Sequence, residues 1–137
     1  MPREPDPASS RPDGPRPERA IGVAGTITSL AALDLDLAEY DPERVHGHRL
    51  TLDGVQQQLS RLASMPLAER REVPALDPER APVIIAGAVI LREVLAHLEL
   101  DEIEVSERDI LHGAALEAAA LPEPVEGDAP PGAYTCC

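Results

Sequence analysis

The chain has 137 residues and carries 12 basic residues against 25 acidic ones, which gives a net charge of −13. Apolar residues make up 43% of the chain but aromatic residues only 1%, so the core must be aliphatic. This length fits one domain or part of one. The charge argues against an autonomous nucleic-acid or anionic-membrane surface, and against binding a long polyanion unaided, because phosphate groups are bound mainly through Lys and Arg.

From this sequence we expect neither a membrane span nor a secretory signal. Its longest apolar run, residues 81–91, is far shorter than the roughly 20 residues that cross a bilayer. The first residues lack the apolar stretch of a signal peptide. Cys136 and Cys137 are adjacent and cannot form a normal disulfide with each other, so we interpret them as incidental. We therefore expect a cytoplasmic protein with no membrane partner.

Composition divides the chain into three parts. Residues 1–19 are rich in Pro and Arg but contain almost nothing apolar, which predicts a disordered leader. Apolar residues become periodic over residues 20–120, which we expect to be the folded part. Proline and acidic residues return over residues 121–137 and predict a flexible acidic tail.

The folded part opens with an apolar run, residues 20–24, which predicts a buried strand that ends at Gly25. Thr26 is then expected to cap a helix that runs to about Leu33. Residues 40–42, with the sequence Tyr-Asp-Pro, predict a turn. Residues 45–50 are expected to be extended.

The next segment has helical periodicity. Thr51 precedes an amphipathic helix whose apolar positions are Leu52, Val55, Leu59 and Leu62. Pro66 is expected in the first turn of a short helix over residues 67–71. Together these elements predict a helical hairpin.

A long helix is predicted from Asp77 and Pro78, which have the sequence of an N-cap followed by a first helical residue. Its flanks, which include Ile90, are expected to be covered as well. The small residues 86–88 would let another element approach closely. The expected core face consists of Ile84, Ala88, Leu91, Leu95 and Leu98.

Residues 102–105 alternate charged and apolar side chains like a half-buried strand, and Ser106 is expected to begin a last helix. The order of elements predicts an α/β fold, rich in helices, with two or three strands. Because so few strands cannot cover these helices, we expect part of the sheet to lie outside this chain.

Gly22, Gly25 and Thr26 lie where the first strand turns into the first helix. Glycines permit a positive φ and a close approach of the backbone, and the N–H groups that begin a helix can bind an anionic oxygen. Taken alone, so short a pattern favours an ordinary tight turn with a helix cap over a phosphate site.

His46 and His48 suggest a metal site, because histidine is the commonest metal ligand. No other Cys or His lies near them in sequence, so we favour polar residues at an edge. The acidic run over residues 99–109 could hold a divalent cation, but such runs more often form a solvated surface. His97 and His112 have no recognisable nucleophile beside them. No catalytic residue and no metal ligand are therefore assigned.

Several strings resemble a single family and lie in one order over residues 20–117. On this basis the chain is identified as a member of the Ppx/GppA family of exopolyphosphatases and guanosine pentaphosphate phosphohydrolases. One position departs from the family, which usually has an acidic residue where this chain has His112. The strings are Ile21-Gly-Val-Ala-Gly-Thr-Ile-Thr-Ser-Leu-Ala-Ala-Leu33, Tyr40-Asp41, Val45-His-Gly47, Leu50-Thr51, Met65 with Glu69-Arg70, Pro78-Glu-Arg-Ala81, Ile85-Ala-Gly-Ala88, and Val105-Ser106 through to Gly113.

The resemblance implies a fold of the actin, sugar-kinase and Hsp70 superfamily, in which two ribonuclease-H-like domains close on a phosphate cleft. It covers only the last part of the second domain, so a partial ribonuclease-H-like domain is expected. The phosphate loops that open both domains and the catalytic glutamate of the family have no counterpart here. By the resemblance, Gly22, Gly25 and Thr26 are phosphate-binding residues that face the cleft.

The resemblance also implies polyphosphate or guanosine pentaphosphate as the substrate and Mg²⁺ as a cofactor, with no ligands identifiable in this chain. We therefore expect a fragment of an exopolyphosphatase-like enzyme that is inactive alone. The alternative is a non-catalytic, regulatory half-domain that docks on a partner chain. Its partner would be the missing N-terminal half or, in a homo-oligomer, another copy.

Overall fold

The computed structural model describes residues 16–120, which divide into a unit that ends at Glu107 and a unit that begins at Arg108. The expected leader over residues 1–19 lies mostly outside the described residues. The expected tail over residues 121–137, with both cysteines, lies entirely outside them.

The described part of the first unit contains three strands and five helices. In chain order they are β1 (Ile21–Gly22), α1 (Gly25–Asp34), α2 (Pro42–Val45), β2 (Arg49–Thr51), α3 (Leu52–Ala63), α4 (Leu67–Arg70), α5 (Ile84–Leu98) and β3 (Glu102–Val105). The second unit contains α6 (Ile110–Ala120). This helix-rich α/β arrangement confirms the predicted fold class.

The three strands form one mixed sheet in the order β1-β3-β2. β1 runs parallel to β3, with Gly22 opposite Val105. β2 runs antiparallel to β3, with Leu50 opposite Ile103. The parallel pair places the carboxyl ends of β1 and β3 at the same edge of the sheet.

The core lies between this sheet and the helices, where α5 packs against α3 and α1. α1 is enclosed, since every residue from Thr28 to Leu33 is buried. Burial of α1 fixes the turn that precedes it. As composition predicts, the largest fully buried side chains are aliphatic: Leu30, Leu50, Leu62, Ile84, Leu95, Val45, Val55 and Val105.

Thr26 does not cap α1, so that prediction is wrong. Ala24 occupies the N-cap position, its side chain makes no capping hydrogen bond, and Thr26 is the second helical residue. The cause is the backbone at Ala24, which takes the chain out of helical geometry with a φ of 71° and a ψ of 170°.

The predicted start of α5 is also wrong, because the helix begins only at Ile84. Asp77 caps a turn instead, in which its carboxylate accepts a hydrogen bond from the Glu79 N–H at 2.9 Å. Pro82 explains the delay, since proline lacks the N–H of a helical bond and its ring clashes with the carbonyl four residues earlier. Residues 78–83 therefore form turns, and Arg80 lies outside any helix.

The two helices of the predicted hairpin are present as α3 and the short helix α4. The Thr51 hydroxyl caps α3 by accepting a hydrogen bond from the Gly54 N–H at 3.0 Å. Pro66 is the residue just before α4 and not part of its first turn. Val45 ends α2 and is not extended, because the Asp41 carboxylate caps that short helix.

Two predicted burials are wrong. β1 is an edge strand of the described sheet, and alternation of side chains leaves Ile21 66% exposed while Gly22 is buried. On α5, Ile90 is 64% exposed. The buried face of α5 agrees with the prediction at Ile84, Ala88, Leu91 and Leu95.

Helix α6 begins at Ile110 and not at the predicted Ser106. The Asp109 carboxylate accepts a hydrogen bond from the Leu111 N–H at 2.9 Å and so starts the helix. Hydrogen bonds from His112 and from that N–H lower the pKa of Asp109. Within residues 16–120, no helix is both long and apolar enough to cross a membrane.

Candidate anion-binding site

The glycine turn, residues 22–26, lies at the carboxyl edge of the sheet. Ser106, which follows β3, donates its N–H to the Gly22 carbonyl at 2.8 Å and so joins the ends of the two parallel strands. Ligands of α/β proteins bind in crevices outside the carboxyl ends of such strands. The turn therefore occupies the position of a binding loop.

Close packing, and not a positive φ, accounts for the two glycines of this turn, although the neighbour of Gly25 is only the flexible end of a side chain. A Cβ atom on Gly22 would lie 2.7 Å from Ile103 Cδ1, and one on Gly25 would coincide with the Arg80 guanidinium. The positive φ occurs at Ala24. Its conformation belongs almost only to glycine, and strain of this kind, about 1–3 kcal/mol, is typical of ligand-binding loops.

Arg80 lies against the turn and occupies the space that a side chain at position 25 would fill. It is exposed and makes no ion pair or side-chain hydrogen bond with any of residues 16–120, whereas Arg19, Arg49 and Arg92 pair with carboxylates. A planar guanidinium with unpaired donors matches the geometry of an oxyanion.

Thr26 packs its side chain against α5. A Cβ atom on Gly87 would lie 2.5 Å from Thr26 Cγ2 and 2.7 Å from Thr26 Oγ1, so α1 and α5 approach closely here. This confirms the close approach predicted for residues 86–88. It also means that Thr26 contributes backbone to the turn while its methyl and hydroxyl groups contact a helix.

Tyr40 connects the surroundings of the turn to the end of β3. Its hydroxyl donates a hydrogen bond to Glu107 Oε1 and also contacts the Thr28 hydroxyl. Burial and the hydrogen bond to Glu107 raise the pKa of Tyr40 above 10.0, while the charge of Arg80 acts in the opposite direction. Arg80, Tyr40 and Glu107 therefore belong to one electrostatic cluster beside the glycine turn.

His46 and His48 face different partners. His46 Nδ1 accepts a hydrogen bond from the Glu107 N–H at 3.3 Å, and His48 Nε2 lies 2.8 Å from Asp34 Oδ2. Among the described residues, no group of three or more His, Cys, Asp or Glu side chains is placed to hold a metal ion. Three acids of the 99–109 run pair instead with arginines, as Arg16–Glu99, Arg49–Glu102 and Arg19–Glu104.

The structure thus gathers the predicted residues Gly22, Gly25 and Thr26 in one turn, with a cation added. Sequence reasoning did not single out Arg80 or Tyr40, although both lie in strings that carry the family resemblance. Chemically, the arrangement presents a guanidinium and the first N–H groups of α1 at one edge of the sheet. Such an arrangement can bind an oxyanion.

Comparison with known proteins gives consistent matches. The sequence model of the Ppx/GppA phosphatase family matches residues 11–120. The chain is 40% identical over 97 residues to the bifunctional 3-dehydroquinate synthase/phosphatase of Fusobacterium nucleatum, covering 71% of this chain and 14% of that protein. It is 35% identical over 103 residues to exopolyphosphatase 2 of Mycobacterium tuberculosis, covering 72% of this chain and 32% of that protein.

The fold is also similar to that of a solved relative. The chain superposes on the Ppx/GppA enzyme of Aquifex aeolicus with a TM-score of 0.69 and 33% identity, covering 73% of this chain and 34% of that one. It thus spans about a third or less of the length of these relatives. Because the family match extends over most of its residues, the chain belongs to the Ppx/GppA phosphatase family.

Proposed function

We propose that the glycine turn and Arg80 bind phosphate oxygens of polyphosphate or guanosine pentaphosphate, and that the chain supplies this phosphate-binding part to an exopolyphosphatase-like phosphohydrolase. The observation that carries the proposal is the position of the Arg80 guanidinium against Gly25, at the carboxyl edge of β1 and β3. A relative named exopolyphosphatase 2 supports the substrate class.

Each residue of the turn has a separate role in this proposal. Arg80 supplies charge and paired N–H donors, which match two oxygens of one phosphate. The N–H groups of Gly25 and Thr26 begin α1, where the helix dipole favours an anion. Gly22 allows the turn to lie close against Ile103.

Mg²⁺ is the cofactor that the resemblance implies, and the described residues do not fit a site that holds it through protein ligands alone. Residues 16–120 lack a cluster of three or more acidic, His or Cys side chains suited to a metal ion. Mg²⁺ commonly binds through substrate phosphates with one or two carboxylates. No step of the proposal is therefore assigned to a metal ion held by this chain.

Hydrolysis requires more than anion binding, because a phosphoanhydride must be attacked in line by water that a base has positioned. The glycine turn and Arg80 supply binding and charge only. We therefore infer that the 137-residue chain releases no phosphate from polyphosphate by itself. Phosphate release by the purified chain, lost in an Arg80→Gln variant, would contradict this inference.

The binding proposal is tested by titrating the chain with tripolyphosphate in a calorimeter. Low salt is needed, because a net charge of −13 opposes the ligand and the attraction of an exposed arginine is screened. Arg80→Gln should weaken binding about tenfold or more, since a hydrogen bond to a charged group contributes about 1.5–3 kcal/mol. Arg92→Gln is the matched control, because Arg92 pairs with Glu93. Equal affinities of the two variants, or no binding by the wild-type chain, would refute the proposal.

An exposed apolar stripe on α5 and its N-cap residue favours a second candidate, a binding half-domain that docks on a partner. Val83, Ile90 and Val94 are 58%, 64% and 46% exposed and lie at helical spacing. The chain should then co-elute with the part of the Aquifex aeolicus enzyme that it does not cover, and Ile90→Glu should abolish co-elution. A wild-type chain that elutes alone as a monomer would exclude this candidate.

A further inference from the structure

Glu107 is an acidic side chain at the edge of the sheet where the anion is proposed to bind. It is half-buried and directly follows Ser106, whose N–H bonds to the Gly22 carbonyl of the glycine turn. A carboxylate here would repel phosphate or pair with Arg80 and neutralise it. An anion site at this edge therefore requires that another group hold the Glu107 carboxylate, so that it does not pair with Arg80.

Two contacts hold Glu107. Its Oε1 atom accepts a hydrogen bond from the Tyr40 hydroxyl, and its backbone N–H donates to His46 Nδ1 at 3.3 Å. The hydroxyl of Thr28, a buried residue of α1, lies near enough to lower the pKa of Tyr40. Tyr40 and the carboxylate that it holds therefore lie beside the helix that begins at the glycine turn.

Arg80 acts on the same phenol. Arg80 lies against Gly25, and Glu107 follows Ser106, which bonds to Gly22, so both charged groups lie beside the glycine turn. In agreement with this placement, the charge of Arg80 lowers the pKa of Tyr40 while Glu107 raises it. Even so, Arg80 forms no ion pair with Glu107 or with any other residue between 16 and 120. The Tyr40 hydroxyl therefore satisfies the carboxylate in place of the guanidinium.

We propose that Tyr40 is a positioning residue: its hydroxyl holds the Glu107 carboxylate and so keeps Arg80 available to the phosphate groups of the ligand. The inference rests on the proposed function. It adds a residue that sets the affinity for phosphate without touching the ligand.

The test compares tripolyphosphate affinity in a two-by-two set of variants. Tyr40→Phe releases the carboxylate, which then competes for Arg80, and binding should weaken about threefold, the size of an exposed ion pair. Glu107→Gln keeps a hydrogen-bond acceptor but removes the charge, so the double variant should bind at least as tightly as the wild-type chain. Equal weakening by Tyr40→Phe in both backgrounds, or no weakening, would overturn the proposal. Tyr134→Phe, outside the described residues, controls for loss of a tyrosine.

A second readout needs no ligand. In a ¹⁵N spectrum, the Arg80 Nε–H resonance should shift in Tyr40→Phe as the guanidinium pairs with Glu107, and should return when Glu107→Gln is added. An unmoved resonance would overturn this inference whether or not the wild-type chain binds tripolyphosphate. A wild-type chain that fails to bind tripolyphosphate would refute the proposed function. If Arg80→Gln weakens binding but Tyr40→Phe does not, the proposed function stands and only this inference fails.

Discussion

Replacing Gly87 with alanine tests the contact between α1 and α5 that fixes the glycine turn. The new Cβ would lie 2.5 Å from Thr26 Cγ2, 2.7 Å from Thr26 Oγ1 and 3.2 Å from Thr26 Cβ. Carbon atoms in contact are separated by about 3.5–4.0 Å. Thr26 is short and belongs to an enclosed helix, so it cannot swing aside, and the two helices must separate.

The net cost follows from two opposing effects. Overpacking of this kind destabilises by about 1–3 kcal/mol. Alanine in place of glycine inside a helix returns about 1 kcal/mol. Because a contact of 2.5 Å is severe, the overpacking cost should lie in the upper half of that range, so we expect Gly87→Ala to lower the free energy of unfolding by about 1–2 kcal/mol and the Tm by about 5–10 °C. Urea and thermal denaturation followed by far-UV circular dichroism would measure both.

Two controls separate this clash from other causes. Thr26→Ala combined with Gly87→Ala leaves only the 3.2 Å contact and should recover most of the lost stability. Gly25→Ala meets only the flexible end of Arg80, so it should weaken tripolyphosphate binding with little loss of stability. The reasoning is refuted if Gly87→Ala is as stable as the wild-type chain, or if the double variant is no more stable than Gly87→Ala.

Three further variants test other contacts. Ala24→Gly should raise the free energy of unfolding by about 1 kcal/mol, because glycine adopts a φ of 71° and a ψ of 170° without strain; an unchanged urea midpoint would contradict this. Arg70→Gln should lower it by about 2 kcal/mol, because the guanidinium donates to three backbone carbonyls at 3.1, 3.1 and 2.9 Å; wild-type stability would show that these bonds contribute nothing. In a Tyr134→Phe background, the absorbance of Tyr40 should titrate above pH 10.0, and Glu107→Gln should lower the midpoint. Because the pKa of Tyr40 is raised in the folded state, the protonated phenol stabilises the fold at pH values below the unfolded-state pKa, and this stabilisation is lost as pH rises through the folded-state pKa. An absorbance midpoint at 10.0 would contradict the hydrogen bond to Glu107.

Elements that depend on local patterns could be predicted from the sequence. Thr51 followed by apolar residues at helical spacing correctly predicted the cap and the buried face of α3, because capping and burial there agree. The buried face of α5 was likewise predictable, since its apolar residues recur at the helical period. In both cases neighbouring residues decide the structure.

The start of α5 shows two local signals in conflict. Asp77 and Pro78 match a helix start, but Pro82 follows at a position where a continuing helix needs an N–H and space for a carbonyl. Because the ring of Pro82 clashes with the carbonyl four residues earlier, a helix that began at Pro78 could not continue through residue 82, and the start signal at Asp77 is overridden. This outcome could have been predicted from the sequence by testing the first turn of the proposed helix against Pro82.

The contact between Arg80 and Gly25 could not be predicted in the same way, because it depends on packing between elements distant in sequence. Gly87 lets α5 lie close to Thr26 at the start of α1, which brings the two helix starts together. Pro82 prevents α5 from beginning earlier than Ile84, so the preceding residues form turns, which place Arg80 against Gly25. Gly25, lacking a side chain, leaves room for the guanidinium. Two glycines and a proline, none of which offers a charge or a side-chain hydrogen bond, thereby determine where the cation of the site lies.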